Sequence, residues 1–249
     1  MIHSTITGIE RVSPTTVSIR FPWEAAVLPG QFIMVWIPGL GEIPISLSHI
    51  GDIKGITIKS FGPTSEALTK MKEGDRIFFR GPYGRPFTQV KGKILVVGGG
   101  SGMAGLLPLI NSDTVGVVSA RTKDELLFVD RFLEGNVIKV TDDGSAGIKG
   151  IAVDGLKGLD LQKFTKMYIC GPELMLRSVY RYIREIDVDA EFSLERLMKC
   201  GIGVCDSCSI DGYQLCRDGP TFSKKQISGM HEFGAFKLTE SGKRIALPK

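Results

Sequence analysis

Apolar and polar residues alternate through "TTVSIRF", where Val17, Ile19 and Phe21 share one face, a period of two that predicts a β-strand. "QFIMVWI" is a continuous apolar run suited to a buried strand, and "GITIKSF" and "RIFFRGP" follow it. Glycine and proline punctuate these runs about every ten residues, a spacing that favours a small antiparallel β-barrel across residues 1–90 over a helical bundle. One helix is expected inside it at "TSEALTKM", capped by Thr64 or Ser65.

The texture changes at Lys93. "KILVVGGGSGMAGLLPLI" reads as an apolar strand, a glycine-rich turn and an apolar helix, and "VGVVSAR", "NVIKVTDD" and "KMYICGPELMLRSVYRYI" continue the alternation of strand with helix-like segment. That pattern predicts an α/β domain with a parallel sheet over residues 91–194. After about Asp189 the alternation stops, and residues 195–249 hold a cysteine-rich segment and a tail, Thr221 to Lys249, with no readable period.

The 249 residues give room for two compact domains and a smaller appendage. With 43% hydrophobic and 23% charged residues, and no apolar run near the roughly 20 needed to span a bilayer, a soluble globular protein with no membrane segment is expected. Glu10 interrupts the weak hydrophobicity of the N-terminus, so no signal peptide is read there and a cytoplasmic location is expected. A formal charge of +4 is too small and too dispersed to point to nucleic acid.

Gly100, Gly102 and Gly105 satisfy G-x-G-x-x-G between a strand and a helix. Residues without Cβ let backbone N–H groups approach a pyrophosphate closely, although a tight glycine turn with no ligand is the plainer reading of the same residues. The acidic residue that usually follows at the next strand end is replaced by Ser119, Ala120 and Arg121. Arg121 there favours a 2'-phosphate and hence NADP, whereas Asp142 and Asp143 in "TDDGSAG" suit the free ribose of NAD; solvated loop charge is the alternative for both.

Four of the five cysteines, Cys200, Cys205, Cys208 and Cys216, are spaced C-x4-C-x2-C-x7-C. This is the plant-type [2Fe-2S] spacing, and Gly201 and Gly203 allow a loop to wrap the cluster and aim N–H groups at sulfur. A structural zinc site ordinarily shows two C-x2-C knuckles, and only Cys205 and Cys208 form one. Cys170 in "CGPELM" stands apart, either as a buried strand-end cysteine or as a neighbour of a nicotinamide. A nicotinamide moves two electrons and a [2Fe-2S] centre one, so the combination calls for a flavin between them, expected in the barrel.

These modules resemble the ferredoxin-NADP reductase superfamily and, more narrowly, the family of electron-transfer subunits of NAD-dependent dihydroorotate dehydrogenases. The resemblance is carried by "PGQF", "IPISLS", "GPYGRPF", "VGGGSGMAGLLPL", "TDDGSAGIKG", "CGPELM" and "FSLERLMKCGIGVCDSCS" closing with "LCRDGPTF". It implies that Pro44, Ile45 and Ser46 line FAD. Ile43 replaces the family's arginine, which leaves the flavin phosphates to Lys59 or to the N–H groups around Thr64 and Ser65, with Gly62 in the family's glycine position. It implies further that Gly100, Gly102 and Asp143 lie near NAD, and that Glu195 resembles an acidic residue near the nicotinamide. The expected partner is an FMN-containing catalytic subunit, in a heterotetramer of two of each chain. A sister subunit serving a hydrogenase, a sulfite reductase or a ferredoxin-dependent transhydrogenase is the nearest alternative, and a non-redox zinc-binding protein the next.

Overall fold

The computed structural model describes residues 1–239 and 241–247, and among these two seven-stranded sheets dominate. The first contains β1 (Ile2–Thr5), β2 (Gly8–Ser13), β3 (Thr16–Pro22), β4 (Phe32–Ile37), β5 (Gly41–Ile50), β6 (Ile53–Lys59) and β7 (Arg76–Tyr83) in the order β1-β7-β4-β5-β6-β3-β2, all antiparallel. Its edge strands β1 and β2 are consecutive in the chain, so the sheet curls into a half-barrel; the Thr7 amide donates to the Arg20 carbonyl of β3 at 2.9 Å. Inside lie Val17, Ile19 and Phe21, with Ile33, Val35, Ile56 and Phe79 from facing strands, as the alternation predicts.

The ten-residue β5 changes partners along its length. Residues up to Ser46 pair with β4, whereas Leu47 and those after it pair with β6. The Glu42–Ser46 half therefore has no β6 partner on its second edge, a position that tolerates Pro44 because proline lacks a ladder donor. α1 (Pro63–Thr69) follows β6. Its cap is Gly62 rather than Thr64 or Ser65, since Pro63 occupies the first helical position with φ already suited to it. Ser65 instead reaches back, its Oγ accepting from the amides of Phe61 (2.9 Å) and Gly62 (3.0 Å).

The second sheet has the order β11-β10-β9-β8-β12-β13-β16. Its parallel strands are β8 (Ile94–Gly99), β9 (Val115–Ala120), β10 (Val137–Thr141), β11 (Ile148–Lys149), β12 (Lys166–Cys170) and β13 (Ala190–Ser193), flanked by α2 (Gly102–Leu106), α3 (Ala152–Leu156) and α4 (Glu173–Ile183). The expected helix alternation holds only partly. Pro108 follows α2 within a 3-10 turn, and only 3-10 turns, Lys123–Glu125 and Val129–Arg131, lie between β9 and β10.

The segment after residue 194 is not separate from this sheet. It forms β14 (Ser209–Ile210), β15 (Tyr213–Gln214) and α5 (Leu215–Asp218), then returns as β16 (Thr221–Ser223), antiparallel to β13, before α6 (Lys224–Ser228) and the hairpin β17 (Phe236–Leu238) and β18 (Arg244–Ala246). Phe222, 1% exposed, is what this return buries. Among the described residues no helix is long and apolar enough to cross a membrane.

Three of the quoted motifs meet where the modules join. The Phe87 amide donates to the Pro29 carbonyl at 2.8 Å, the Arg85 amide to Gly219 O at 2.6 Å, and Thr221 Oγ1 to Arg85 O at 3.0 Å. A Cβ on Gly84 would lie 2.6 Å from Pro220 Cδ, so glycine is required for this approach.

Candidate functional site

A cleft of about 470 Å³ opens between the half-barrel and the parallel sheet. The half of β5 that lacks a β6 partner supplies Pro44, Ile45 and Ser46; β6 and the start of α1 supply Lys59, Gly62, Thr64 and Ser65. Seven residues read from sequence as flavin contacts thus line one cavity. Lys59 is not free within it: Nζ is 3.0 Å from Glu125 Oε1 across the domain junction. Phe61 also lines the cleft and is 80% exposed, an aromatic face with little protein over it. The opposite wall is α2, where a Cβ on Gly105 would stand 3.5 Å from Ser46 Cβ and 3.7 Å from Cys170 Sγ. Glycine there keeps that gap open.

The C-terminal ends of the parallel strands form the other part of the site. The chain runs outward from β8 to β9 and β10, then crosses back to β12, so the order reverses between β8 and β12, where ligands of open α/β sheets bind. Gly100 and Gly102 sit there with different duties. Gly100 has φ +51° and open space where a Cβ would be, whereas a Cβ on Gly102 would meet Gly171 Cα at 2.5 Å. Gly102 lets α2 pack on the β12 turn; Gly100 leaves room above the strand end. Arg121, Asp142 and Asp143 are exposed at the ends of β9 and β10 and do not line the cleft. Asp143 accepts from the Ser145 hydroxyl (2.6 Å) and amide (2.9 Å), which hold its carboxyl below the usual range.

Cys170 and Glu195 meet in the cleft floor with Ser193. Burial, reinforced by the Glu195 carboxylate, pushes the Cys170 thiol up to about 12 against a hydrogen bond from Ser193, so the thiol is neutral at physiological pH. Glu195 is exposed within the cleft; desolvation by the cleft walls, then the Glu173 carboxylate, raises its carboxyl. Arg196 beside it grips Glu173 with both guanidinium branches, one at 2.7 Å, and the Gly234 amide donates to the same carboxylate at 2.7 Å.

Cys200, Cys205 and Cys208 lie on a loop stacked against the half-barrel, and Cys216 faces them from α5. Gly201 (φ +74°) sits on Met34 and Tyr83, where a Cβ would come within 2.9 Å of Met34 Cγ. Amides point at sulfur throughout the loop: Val204 N is 3.3 Å and Ile202 N 3.5 Å from Cys200 Sγ, and Gly203 N is 3.1 Å from Cys216 Sγ. The thiols act on one another in two pairs, Cys205 bearing on Cys200 and Cys208 on Cys216, and the Cys216 amide lies 3.5 Å from Cys208 Sγ. Burial raises the Cys200 thiol, but amides of Val204, Cys205 and Ile202 outweigh it and bring it down to about 6. Burial and the adjoining Cys208 push Cys216 up to about 12. Among the described residues no three such ligand side chains converge as a single-ion site requires. Two pairs under converging amides fit a centre of two irons, each taking two thiolates.

Sequence reasoning missed Ser193, Phe61 and Arg80. Ser193 lies within "FSLERLMKCGIGVCDSCS", where no feature sets it apart from its neighbours, and Phe61 ends the strand run "GITIKSF". Arg80, whose place beside the cluster loop depends on strand order alone, gave no local signal.

The family model described as the iron-sulfur cluster binding domain of dihydroorotate dehydrogenase B matches residues 195–228. A protein of Thermoplasma acidophilum named "Probable dihydroorotate dehydrogenase B (NAD(+)), electron transfer subunit" is 50% identical, covering 92% of each chain. One of Thermoplasma volcanium with the same name is 45% identical, covering 99% of each. The chain belongs to this family of electron-transfer subunits. Among solved structures it is similar to an NADH-dependent reduced ferredoxin-NADP oxidoreductase described for flavin-based electron bifurcation, with a TM-score of 0.79, 28% identity, and 90% of this chain and 89% of that chain covered. The FAD/NAD binding domain of a Vibrio cholerae nitric oxide dioxygenase shares the fold at a TM-score of 0.64 and 16% identity, over 76% of this chain and 96% of that one.

Proposed function

We propose that this chain is the electron-transfer subunit of an NAD-linked dihydroorotate dehydrogenase in pyrimidine biosynthesis. It carries electrons from dihydroorotate oxidation on a separate FMN-containing catalytic subunit, through a [2Fe-2S] cluster and FAD, to NAD. The observation that carries the reading is adjacency. Met34 of β4 pairs with Pro44 on the cleft side and with Arg80 of β7 on the other, and Gly201, next to Cys200, rests on Met34. Pro44 in the cleft lining and Met34 beneath the cluster loop are thus one strand spacing apart, roughly 5 Å.

Pro44, Ile45 and Ser46 would hold the flavin ring, and Lys59 with the amides between Gly62 and Ser65 its phosphates. Exposed Phe61 offers a stacking face for an adenine, which favours FAD over FMN. When bound, the flavin supplies the exchange between hydride and single-electron transfer. Gly100, Gly102, Asp142 and Asp143 would hold the dinucleotide, with Arg121 at the rim, while Cys170 and Glu195 border the nicotinamide. Cys200, Cys205, Cys208 and Cys216 would ligate the cluster. Positioning is the main task of these residues, so no proton-transfer dyad is required. A complex of two chains of each kind is part of the proposal.

Anaerobically purified protein should be brown-yellow, with FAD, about two irons per chain and matching sulfide. Mixed with an FMN-containing catalytic subunit, dihydroorotate and NAD, it should yield orotate and NADH, from an assembly whose mass fits two of each chain. Serine at any of the four clustered cysteines should remove the iron signal, whereas Cys170→Ala should keep it. A colourless protein with one zinc, or absence of orotate with that partner, would overturn the reading.

A further inference from the structure

Arg80 is placed to act on the cluster loop without being a ligand. Its Nε and Nη2 donate to the two carboxylate oxygens of Glu42 at 2.8 and 2.6 Å, and its Nη1 donates to the backbone carbonyl of Cys200 at 3.0 Å. Tyr83 OH lies 3.5 Å from the same Nη1, and the guanidinium carbon is 5.7 Å from the Tyr83 ring centre. The side chains of Arg80 and Glu42 are 27% and 19% exposed, so solvent screens the pair only in part.

The arrangement has a direction. Arg80 and Glu42 belong to β7 and β5, the two neighbours of β4, and the fork of the guanidinium is spent on Glu42. The remaining branch points at Cys200, so the cationic end of the pair faces the loop and the carboxylate is held behind it. Each electron added to a cluster adds one negative charge, and a fixed positive end nearby favours the added charge.

We infer that Arg80 is a positioning residue that both anchors the Cys200 loop to the half-barrel and raises the reduction potential of the centre held there, with Glu42 limiting that effect from behind. The inference rests on the cluster reading above. It predicts opposite shifts for two neutral substitutions. Arg80→Gln removes the cation and leaves Glu42 unopposed, so the potential should fall; Glu42→Gln leaves the cation unopposed, so it should rise. Arg80→Lys keeps the charge but loses the fork, and should lie closer to the unsubstituted protein than Arg80→Gln does.

The test is a redox titration of the full chain, followed by the electron paramagnetic resonance signal of the reduced centre, with iron and sulfide measured on each sample. Absence of that signal in the unsubstituted protein would defeat the cluster reading itself. With the signal present, unchanged potentials, or shifts of the same sign in Arg80→Gln and Glu42→Gln, would overturn the inference. If Arg80→Gln loses its iron, Glu42→Gln and Arg80→Lys still decide: a rise in the first and a near-native value in the second support it, and any other pattern overturns it.

Discussion

Lys59 Nζ lies 3.0 Å from Glu125 Oε1, so one ion pair ties the half-barrel to the parallel sheet at the edge of the cleft. The lysine that sequence offered as a phosphate ligand is therefore already neutralised by a carboxylate from the other domain. Replacing it should act on two properties at once. Lys59→Met should weaken flavin binding about tenfold, equivalent to ~1.4 kcal/mol, while Glu125→Gln should leave it unchanged or tighter because the cation is released. Fluorescence titration of the flavin-free protein measures both, and unaltered affinity in Lys59→Met would assign the phosphates to the amides around Thr64 alone.

Gly102 and Gly100 should respond differently to alanine although they belong to one motif. At Gly102 the added Cβ would fall 2.5 Å from the Gly171 backbone, which cannot yield as a side chain does. Gly102→Ala should lower stability by about 1–3 kcal/mol. Gly100→Ala meets open space and only the left-handed φ of +51° opposes it, a cost of about 1–2 kcal/mol. Its larger effect should be on NADH affinity, so chemical denaturation and NADH titration together separate the two positions.

Glu195 should make stability depend on pH. Enclosure by protein, then Glu173, raises its carboxyl above the unfolded value. The folded chain therefore holds that proton to higher pH, and the stability this confers is complete below the unfolded value and lost as pH rises through the folded one. Glu195→Gln, uncharged throughout, should melt at a higher temperature than the unsubstituted protein at pH 8, with the difference vanishing near pH 4. A difference that stays constant across that range would remove the carboxyl as its cause.

Glu173 should be costly to lose. It receives both branches of Arg196, whose side chain is only 4% exposed, together with the Gly234 amide. Glu173→Ala leaves a buried guanidinium without a counter-charge, a loss of about 3–5 kcal/mol. Denaturation curves measure it, and limited proteolysis should show earlier cleavage near Gly234.

Legibility in the sequence followed how local each determinant is. The strand over Thr16–Pro22 is written in a two-residue period and the cluster loop in cysteine spacing, so both needed only neighbouring residues. The connection between β9 and β10 lacks the expected helix because its residues pack as 3-10 turns against the sheet, and β16 joins that sheet because Phe222 finds burial there. Neither choice leaves a periodic trace.

The sequence by itself determined the two-residue period of β3, the strand and glycine turn at Gly100 and the spacing of the four clustered cysteines, since each is carried by neighbouring residues, while Pro44, Ile45 and Ser46 are reached through a family resemblance. Tertiary structure alone decided that Gly102 serves close packing while Gly100 leaves space, that Lys59 is paired with Glu125, and that Arg80 reaches Cys200. Each of these depends on which strands become neighbours across the half-barrel and the parallel sheet, and contacts between residues as distant in the chain as Arg80 and Cys200 exist only after folding has brought their strands and loops together.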